Sequence, residues 1–376
     1  MNAPIDGTCD DAFAAVREAF VDNFTSRDEH GAAIAVYRRG ELVVDLWGGW
    51  RDADRSQAWA ADTMVCMMSV VKAVTALLVH VLVDRDMIDL DEPVAHYWPG
   101  FAANGKGAVR VRHALDHRAG IPAIRRELPR DALFDWDAMT AAIATQPLEW
   151  PAGSVPAYHP VTMGFIAGEL VKRITGATPG AFLRELAPDI PGFDYYIGVP
   201  AAALARCAEV HGDYSGTIFG ESDRSSLAYW SIAPVTTNMF NTEAFRRAEI
   251  PSINGHGTPR SIAALFGELA LCRAGKRNGL ISPEAIARAA EEQWHAVEQT
   301  SMQERRMGLG FILGGPHPLN ANPRAFGHGG AGGALAFADP DLELGFAYGT
   351  NHLHGQKTMS PRTRALVDAV MQCAVS

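Results

Sequence analysis

The sequence predicts an α/β fold of the α+β type, in which an antiparallel sheet is flanked by helices and a mainly helical lobe is inserted. Strand-like segments lie towards both ends of the chain, at residues 33–46 and 308–348, whereas the middle is rich in alanine and interrupted by prolines. Strands that are distant in sequence can share one sheet. We therefore expect a discontinuous α/β lobe from residues 1–80 and 256–376, an inserted helical lobe from residues 81–255, and an active site in the cleft between them.

The first predicted elements are a helix and a β-hairpin. A capping-box pattern at Thr8 precedes apolar residues that recur at helical spacing from Phe13 to Phe24, which is typical of an amphipathic helix. Residues 33–37 and 42–46 are two runs of apolar and β-branched residues, separated by a short turn that contains Gly40. This pattern predicts two antiparallel strands.

Three strands and a helix are predicted near the end of the chain. The segments 308–313, 334–337 and 344–348 combine aliphatic and aromatic residues, which favour strands. Asp339-Pro340-Asp341, between the last two segments, is typical of a turn. Ser360-Pro361 marks the start of a terminal helix, because proline is favoured in the first helical turn.

The most informative local feature is the tetrapeptide Ser69-Val70-Val71-Lys72, which opens an apolar run from Ala73 to Val83. Residues three apart on a helix share one face, so the serine hydroxyl and the lysine amine can exchange a proton. A helix cap is the structural alternative for the serine, but a lysine in the first turn opposes the helix dipole. The apolar run indicates a buried helix, and a buried lysine favours a catalytic role.

Composition and charge exclude several classes of protein. The chain has 376 residues, is 48% hydrophobic, and carries a formal net charge of -10, which disfavours nucleic acid as a partner. The first residues lack the pattern of an export signal, and the run from Ala73 to Val83 is too short to span a bilayer. We therefore expect a cytoplasmic protein with no membrane partner. Five scattered cysteines indicate reduced thiols rather than a zinc site. We expect neither a metal nor another cofactor, and the sequence leaves the oligomeric state open.

Three further segments carry candidate site residues: His113–Ile121, the loop around Tyr158, and Gly327-His328-Gly329-Gly330-Ala331. Taken alone, a tyrosine in such a loop is more often a packing residue with a satisfied hydroxyl. Together with the Ser-x-x-Lys pair, however, the segments follow the order seen in the class C β-lactamase-like serine hydrolases, which the chain resembles over most of its length. Within that superfamily it most resembles the family VIII carboxylesterases. The resemblance implies a fold like that of β-lactamases and penicillin-binding proteins.

The resemblance also implies a role for each matching position. Ser69 corresponds to the serine that is acylated, and Lys72 and Tyr158 correspond to the basic pair. His328-Gly329-Gly330 stands at the third motif, which lines the cleft and contacts substrate. The backbone N–H groups of Ser69 and Ala331 would then stabilise the oxyanion.

Two departures from the β-lactamase pattern favour a neutral ester as substrate. Pro160 stands where an asparagine amide is expected, so it offers no side-chain donor. His328 replaces a lysine, and an imidazole is mostly uncharged at neutral pH. With one cation fewer beside it, Tyr158 should be harder to ionise, which predicts an alkaline activity profile. Trp150 is interpreted as a wall of the acyl pocket, with a core tryptophan as the alternative.

The predicted function is hydrolysis of small to medium acyl esters by a metal-independent serine carboxylesterase, through an acyl-enzyme on Ser69. A β-lactamase, amidase or acyltransferase with the same three side chains is the enzymatic alternative. A catalytically silent relative that binds ligands in the cleft is a second alternative. No Gly-x-Ser-x-Gly elbow occurs in the sequence, which disfavours an α/β-hydrolase.

Overall fold

The structure is a computed structural model that describes residues 3–129, 131–190, 192–213, 220–233, 235–315, 319–355 and 359–375. The α-helices in this part of the chain are α1 (Ala14–Ser26), α2 (Val70–Asp84), α3 (Val94–Tyr97), α4 (Val111–Leu115), α5 (Trp136–Thr145), α6 (Thr162–Thr175), α7 (Pro179–Leu186), α8 (Leu227–Ile232), α9 (Glu243–Arg247), α10 (Pro259–Arg273), α11 (Pro283–Ala289) and α12 (Pro361–Val375). The strands are β1 (Ile5–Cys9), β2 (Gly31–Arg38), β3 (Glu41–Gly49), β4 (Val65–Cys66), β5 (Tyr195–Ile197), β6 (His211–Gly212), β7 (Gly255–Gly257), β8 (Trp294–Val297), β9 (Glu304–Met307), β10 (Ile312–Leu313), β11 (Phe326–Gly329), β12 (Leu335–Asp339), β13 (Leu344–Thr350) and β14 (His352–Leu353).

Nine of these strands form one antiparallel sheet, in the order β1-β3-β2-β13-β12-β11-β10-β9-β8. The amino-terminal hairpin joins the late strands where β2 pairs with β13, from Ala32 opposite Thr350 to Arg38 opposite Leu344. The predicted antiparallel sheet, built from both ends of the chain, is therefore confirmed. A second sheet has the order β4-β7-β5, and a short parallel pair joins β14 to β6.

Two local predictions are wrong. Thr8 does not begin a helix, because it lies in edge strand β1 opposite Asp45 of β3, and α1 starts only at Ala14. The predicted strand 308–313 is reduced to β10, because Gly310 has a φ of +89°, which a strand does not allow. A Cβ at Gly310 would lie 2.1 Å from the Ala76 Cβ, so the bend lets the chain approach α2 closely.

Helices cover both faces of the large sheet. On one face α1 packs against α12, and Phe20 and Leu366 belong to the same buried cluster. On the other face α10 crosses β2, β12 and β13, while α2 contacts β11 and α6. Every residue of α2 from Val70 to Val83 is buried, which confirms the predicted central helix. This packing brings the start of α2 to the end of β11.

The middle of the chain contains the helices α3 to α9, as the alanine-rich composition predicted. The proposed division into residues 1–80 and 256–376 against residues 81–255 stays a prediction. Across the described residues, no helix combines the length and the apolar character needed to cross a bilayer.

Candidate active site

Ser69 lies at the junction of β4 and α2. The preceding residue, Met68, has a left-handed backbone with a φ of +50°, which is unfavourable for a side chain of this size. The Met67 N–H donates to the Gly255 carbonyl at 2.9 Å, so β7 holds the turn in place. Ser69 is half-buried, and within the described helix its hydroxyl caps no backbone N–H. The capping alternative is therefore removed, because the helix backbone does not engage the hydroxyl.

Lys72 lies on the same face of α2 and is fully buried. Its Nζ lies 3.1 Å from Ser69 Oγ and donates to the Ser252 carbonyl at 2.7 Å. Burial first, and then the positive charge of Arg305, hold the pKa of Lys72 well below its usual value, because a poorly solvated site disfavours the charged amine. In its uncharged form, the amine keeps one N–H on the Ser252 carbonyl and can turn its lone pair towards the serine hydroxyl.

Tyr158 approaches Ser69 from the loop between α5 and α6. Its ring centroid lies 5.0 Å from Lys72 Nζ, and the Ser69 side chain is close enough to the phenol to lower its pKa. The Tyr158 N–H donates to the Glu298 carboxylate at 2.7 Å, which fixes the loop. Burial raises the pKa of Tyr158 to about 12, and the nearby Arg305 acts in the opposite direction. The structure thus brings the hydroxyl, the amine and the phenol together, while their catalytic roles stay predictions.

The third motif lies at the end of β11, beside the turn that leads into Ser69. A Cβ at Gly330 would lie 2.3 Å from the Met67 carbonyl oxygen, so only glycine allows this approach. His328 is buried, and its Nδ1 donates to the Gly329 carbonyl at 2.6 Å. Burial holds the pKa of His328 well below its usual value, so the imidazole is uncharged. Ala331 opens a short 3-10 helix, Ala331–Gly333, and its oxyanion role stays a prediction.

Trp150 is half-buried in the loop before Tyr158. A Cβ at Gly120 would lie 2.4 Å from the Trp150 carbonyl oxygen, so the Trp150 backbone packs against the segment that follows α4. This contact fixes the main chain of Trp150 and does not involve its indole ring. The role of the indole as a wall of the acyl pocket stays a prediction.

Two charged residues of the β8–β9 hairpin reach the site, and sequence reasoning missed both. The Arg305 guanidinium carbon lies 4.7 Å from the Tyr158 ring centroid, and Glu298 accepts the Tyr158 N–H. Arg305 is therefore a cation beside the phenol that the sequence motifs do not indicate. One signal was available in the sequence, since Arg305 and Arg306 are adjacent in a strand and must face opposite sides of it.

Three imidazoles lie close to the Tyr158 ring or to each other. The His117 and His328 rings lie 4.8 Å and 6.1 Å from the phenol ring, and the His159 ring lies 5.6 Å from that of His117. The His117 Nδ1 accepts the backbone N–H of His159 at 3.1 Å, so the ring proton of His117 is on Nε2. Burial lowers the pKa of all three imidazoles, which leaves them uncharged.

Most of the chain matches a known protein family. The sequence model of the Beta-lactamase family matches residues 14–371. The chain belongs to the beta-lactamase family. The fold predicted from the resemblance is therefore confirmed, as is the assignment to this superfamily of serine hydrolases.

Three proteins are similar to this chain over most of its length. The protein named Esterase/beta-lactamase LipL, from Mycobacterium tuberculosis, is 32% identical over 366 residues, which are 92% of this chain and 83% of LipL. A penicillin-binding protein homologue from Caulobacter crescentus has a TM-score of 0.91 and 38% identity, covering 98% of this chain and all of the other. The crystal structure of a family VIII carboxylesterase gives a TM-score of 0.89 and 36% identity with the same coverage.

Proposed function

We propose that this member of the beta-lactamase family is a carboxylic ester hydrolase in which Ser69 is acylated during turnover. The single observation that carries the proposal is the 3.1 Å distance between Lys72 Nζ and Ser69 Oγ in a buried environment. A serine hydroxyl is a weak nucleophile until a base removes its proton. An uncharged lysine amine at hydrogen-bond distance is such a base.

In the proposed acylation step, Ser69 Oγ forms a bond to the ester carbonyl carbon as its proton passes to Lys72. The carbonyl oxygen becomes an oxyanion, and the N–H groups of Ser69 and Ala331 would stabilise it. The bond to the alcohol oxygen then breaks, and the Tyr158 phenol gives that oxygen a proton. The Lys72 ammonium returns a proton to the phenol, so both groups regain their starting state as the alcohol leaves.

Deacylation repeats these steps with water as the nucleophile. Water loses one proton to the Lys72–Tyr158 pair and attacks the acyl carbon, and the proton then returns to Ser69 Oγ as the acyl–oxygen bond breaks. The products are the carboxylic acid and the free enzyme. The high pKa of Tyr158, about 12, suits a phenol that donates a proton to an alkoxide and recovers it from an ammonium group.

An ester is favoured over a β-lactam by the groups that line the site. His328 is uncharged, so it provides no fixed cation for a carboxylate, and Pro160 provides no side-chain amide. The similarity to a family VIII carboxylesterase supports the same choice, whereas LipL is named both an esterase and a β-lactamase. We propose small to medium acyl esters as substrates.

The decisive experiment combines covalent labelling with paired substrates. After incubation with a fluorophosphonate, we expect mass spectrometry to find the adduct on Ser69 in the wild type. A matched variant, Ser225→Ala, changes an exposed serine and should label normally. An unmodified Ser69 in folded protein would indicate a silent relative, and faster turnover of a chromogenic cephalosporin than of a chromogenic ester would favour a β-lactamase.

We further propose that the enzyme acts in the cytoplasm on a small-molecule ester, without a nucleic acid partner. The acidic net charge of -10 supports the last point. All five cysteines, at positions 9, 66, 207, 272 and 373, are free thiols in the structure, which is typical of a reducing compartment.

A further inference from the structure

The β8–β9 hairpin is bound to the loop that carries Tyr158. The buried Glu298 carboxylate accepts the N–H groups of Tyr158, Thr300 and Ser301 at 2.7, 2.8 and 2.8 Å. The Gln299 N–H also donates to the Pro156 carbonyl at 3.1 Å. The hairpin turn and the Tyr158 loop therefore form one hydrogen-bonded unit.

Arg305 extends from this hairpin over the phenol. Its guanidinium carbon lies 4.7 Å from the Tyr158 ring centroid, within the range of a cation–π contact. One nitrogen, Nη2, donates to Gln303 Oε1 at 2.7 Å, and Nε lies 4.0 Å from the Glu298 carboxylate. The side chain is only 13% exposed, so water screens its charge weakly.

The charges around Tyr158 leave Arg305 with a distinct role. The imidazoles of His117, His159 and His328 are uncharged because they are buried, and burial also disfavours the charged form of the Lys72 amine. Among these groups, Arg305 is the lasting positive charge and Glu298 is the negative charge. At 4.0 Å, the Glu298 carboxylate offsets the positive charge of Arg305 only in part. The remaining positive potential acts on Lys72 and Tyr158.

We propose that Arg305 sets the protonation of the Ser69–Lys72–Tyr158 site, because its fixed charge on the Tyr158 ring favours the proton-poor forms of the amine and the phenol. Arg305 is a positioning residue, since it acts through Lys72 and Tyr158. The inference rests on the proposed esterase function and deepens it. Arg305 thus supplies a positive charge at the phenol ring, which the uncharged His328 does not.

The test is the pH dependence of kcat/KM for a chromogenic ester. Without the cation, Lys72 binds its proton more tightly, so in Arg305→Met we expect the acidic limb to move to higher pH by roughly one unit. This corresponds to about a tenfold loss of kcat/KM at a pH below the limb. Arg306→Met is the matched control, because Arg306 pairs with Glu292, and its limb should coincide with that of the wild type.

Two further variants separate a charge effect from a folding defect. Arg305→Lys keeps the charge and should hold the limb near its wild-type position. Glu298→Gln removes the negative charge while keeping one acceptor oxygen, and it should move the limb to lower pH, opposite to Arg305→Met. If Arg305→Met does not fold, these two variants decide the question.

The inference and the proposed function fail in different ways. A wild type that labels on Ser69 and hydrolyses esters, but whose limb is unchanged in Arg305→Met, would overturn the inference alone. An unchanged acidic limb in Glu298→Gln, together with a large shift of the limb in Arg305→Lys, would also overturn the inference alone. Absence of the Ser69 adduct in folded wild type would instead overturn the proposed function.

Discussion

The two sides of the site are built in different ways. On one side, Ser69 and Lys72 are three residues apart at the start of α2, and the helix itself sets the 3.1 Å between them. On the other side, Tyr158 lies in an irregular loop whose position depends on Glu298, 140 residues away in sequence. On the helical side, burial lowers the pKa of the lysine and so favours its uncharged form. The loop side needs long-range hydrogen bonds before its phenol has a defined position.

This difference predicts how each side responds to mutation. Substitutions on the helical side should remove a chemical group and leave the geometry intact, because α2 is buried along its whole length. Substitutions that disconnect the loop from the hairpin should instead lower stability and activity together. Variants of both sides, measured for turnover and for thermal unfolding, separate the two modes.

The largest effect is expected for Lys72→Met. Methionine is of similar length and apolar, so it suits a site in which the lysine is fully buried. The variant loses the base for Ser69, and general base catalysis typically contributes about 10²–10⁴ in rate. We expect kcat to fall by a factor within that range, and we expect the variant still to unfold cooperatively. Thermal unfolding and kcat measured on the same preparation check this, and kcat close to that of the wild type would remove Lys72 from the mechanism.

A smaller but still large loss is expected for Tyr158→Phe. The phenylalanine ring keeps the contacts with His117 and Arg305, whereas the proton donor to the leaving alcohol is lost. Because the missing proton matters most for a poor leaving group, kcat should fall more for an alkyl ester than for a nitrophenyl ester. An equal loss for both esters would argue that Tyr158 only orders the loop.

Glu298→Ala tests the loop side through stability. The carboxylate accepts three backbone N–H groups and the Ser301 hydroxyl, and each buried donor left unpaired costs about 1–3 kcal/mol. We expect a clear fall in the unfolding midpoint and a kcat reduced by about tenfold or more, with Glu298→Gln intermediate in both. Normal stability in Glu298→Ala would show that the hairpin and the loop are independent.

The same contrast explains what the sequence could reveal. The Ser69–Lys72 pair is a local pattern, so residue spacing predicted both the face it occupies and the burial of α2. The order of motifs indicated Tyr158 and His328 as candidate site residues. Arg305 belongs to no motif, and its place over the phenol depends on the pairing of β9 with β8 and β10. Thr8 was misassigned because strand pairing with β3 outweighed its local capping preference.

The smallest effect is expected for His328→Lys, which restores the lysine of the β-lactamase pattern. A second cation near the site lowers the pKa values of Lys72 and Tyr158, so the acidic limb of the pH profile should move to lower pH. Since Arg305 already provides a positive charge at the phenol, the shift should be smaller in this variant than the opposite shift in Arg305→Met. The acidic limbs of wild type, His328→Lys and the double variant with Arg305→Met provide the measurement. If His328→Lys moves the limb further in the Arg305→Met background than in the wild type, the two cations act on the same protons. A limb that His328→Lys leaves unchanged in both backgrounds would show that the charge at position 328 does not act on Lys72 or Tyr158.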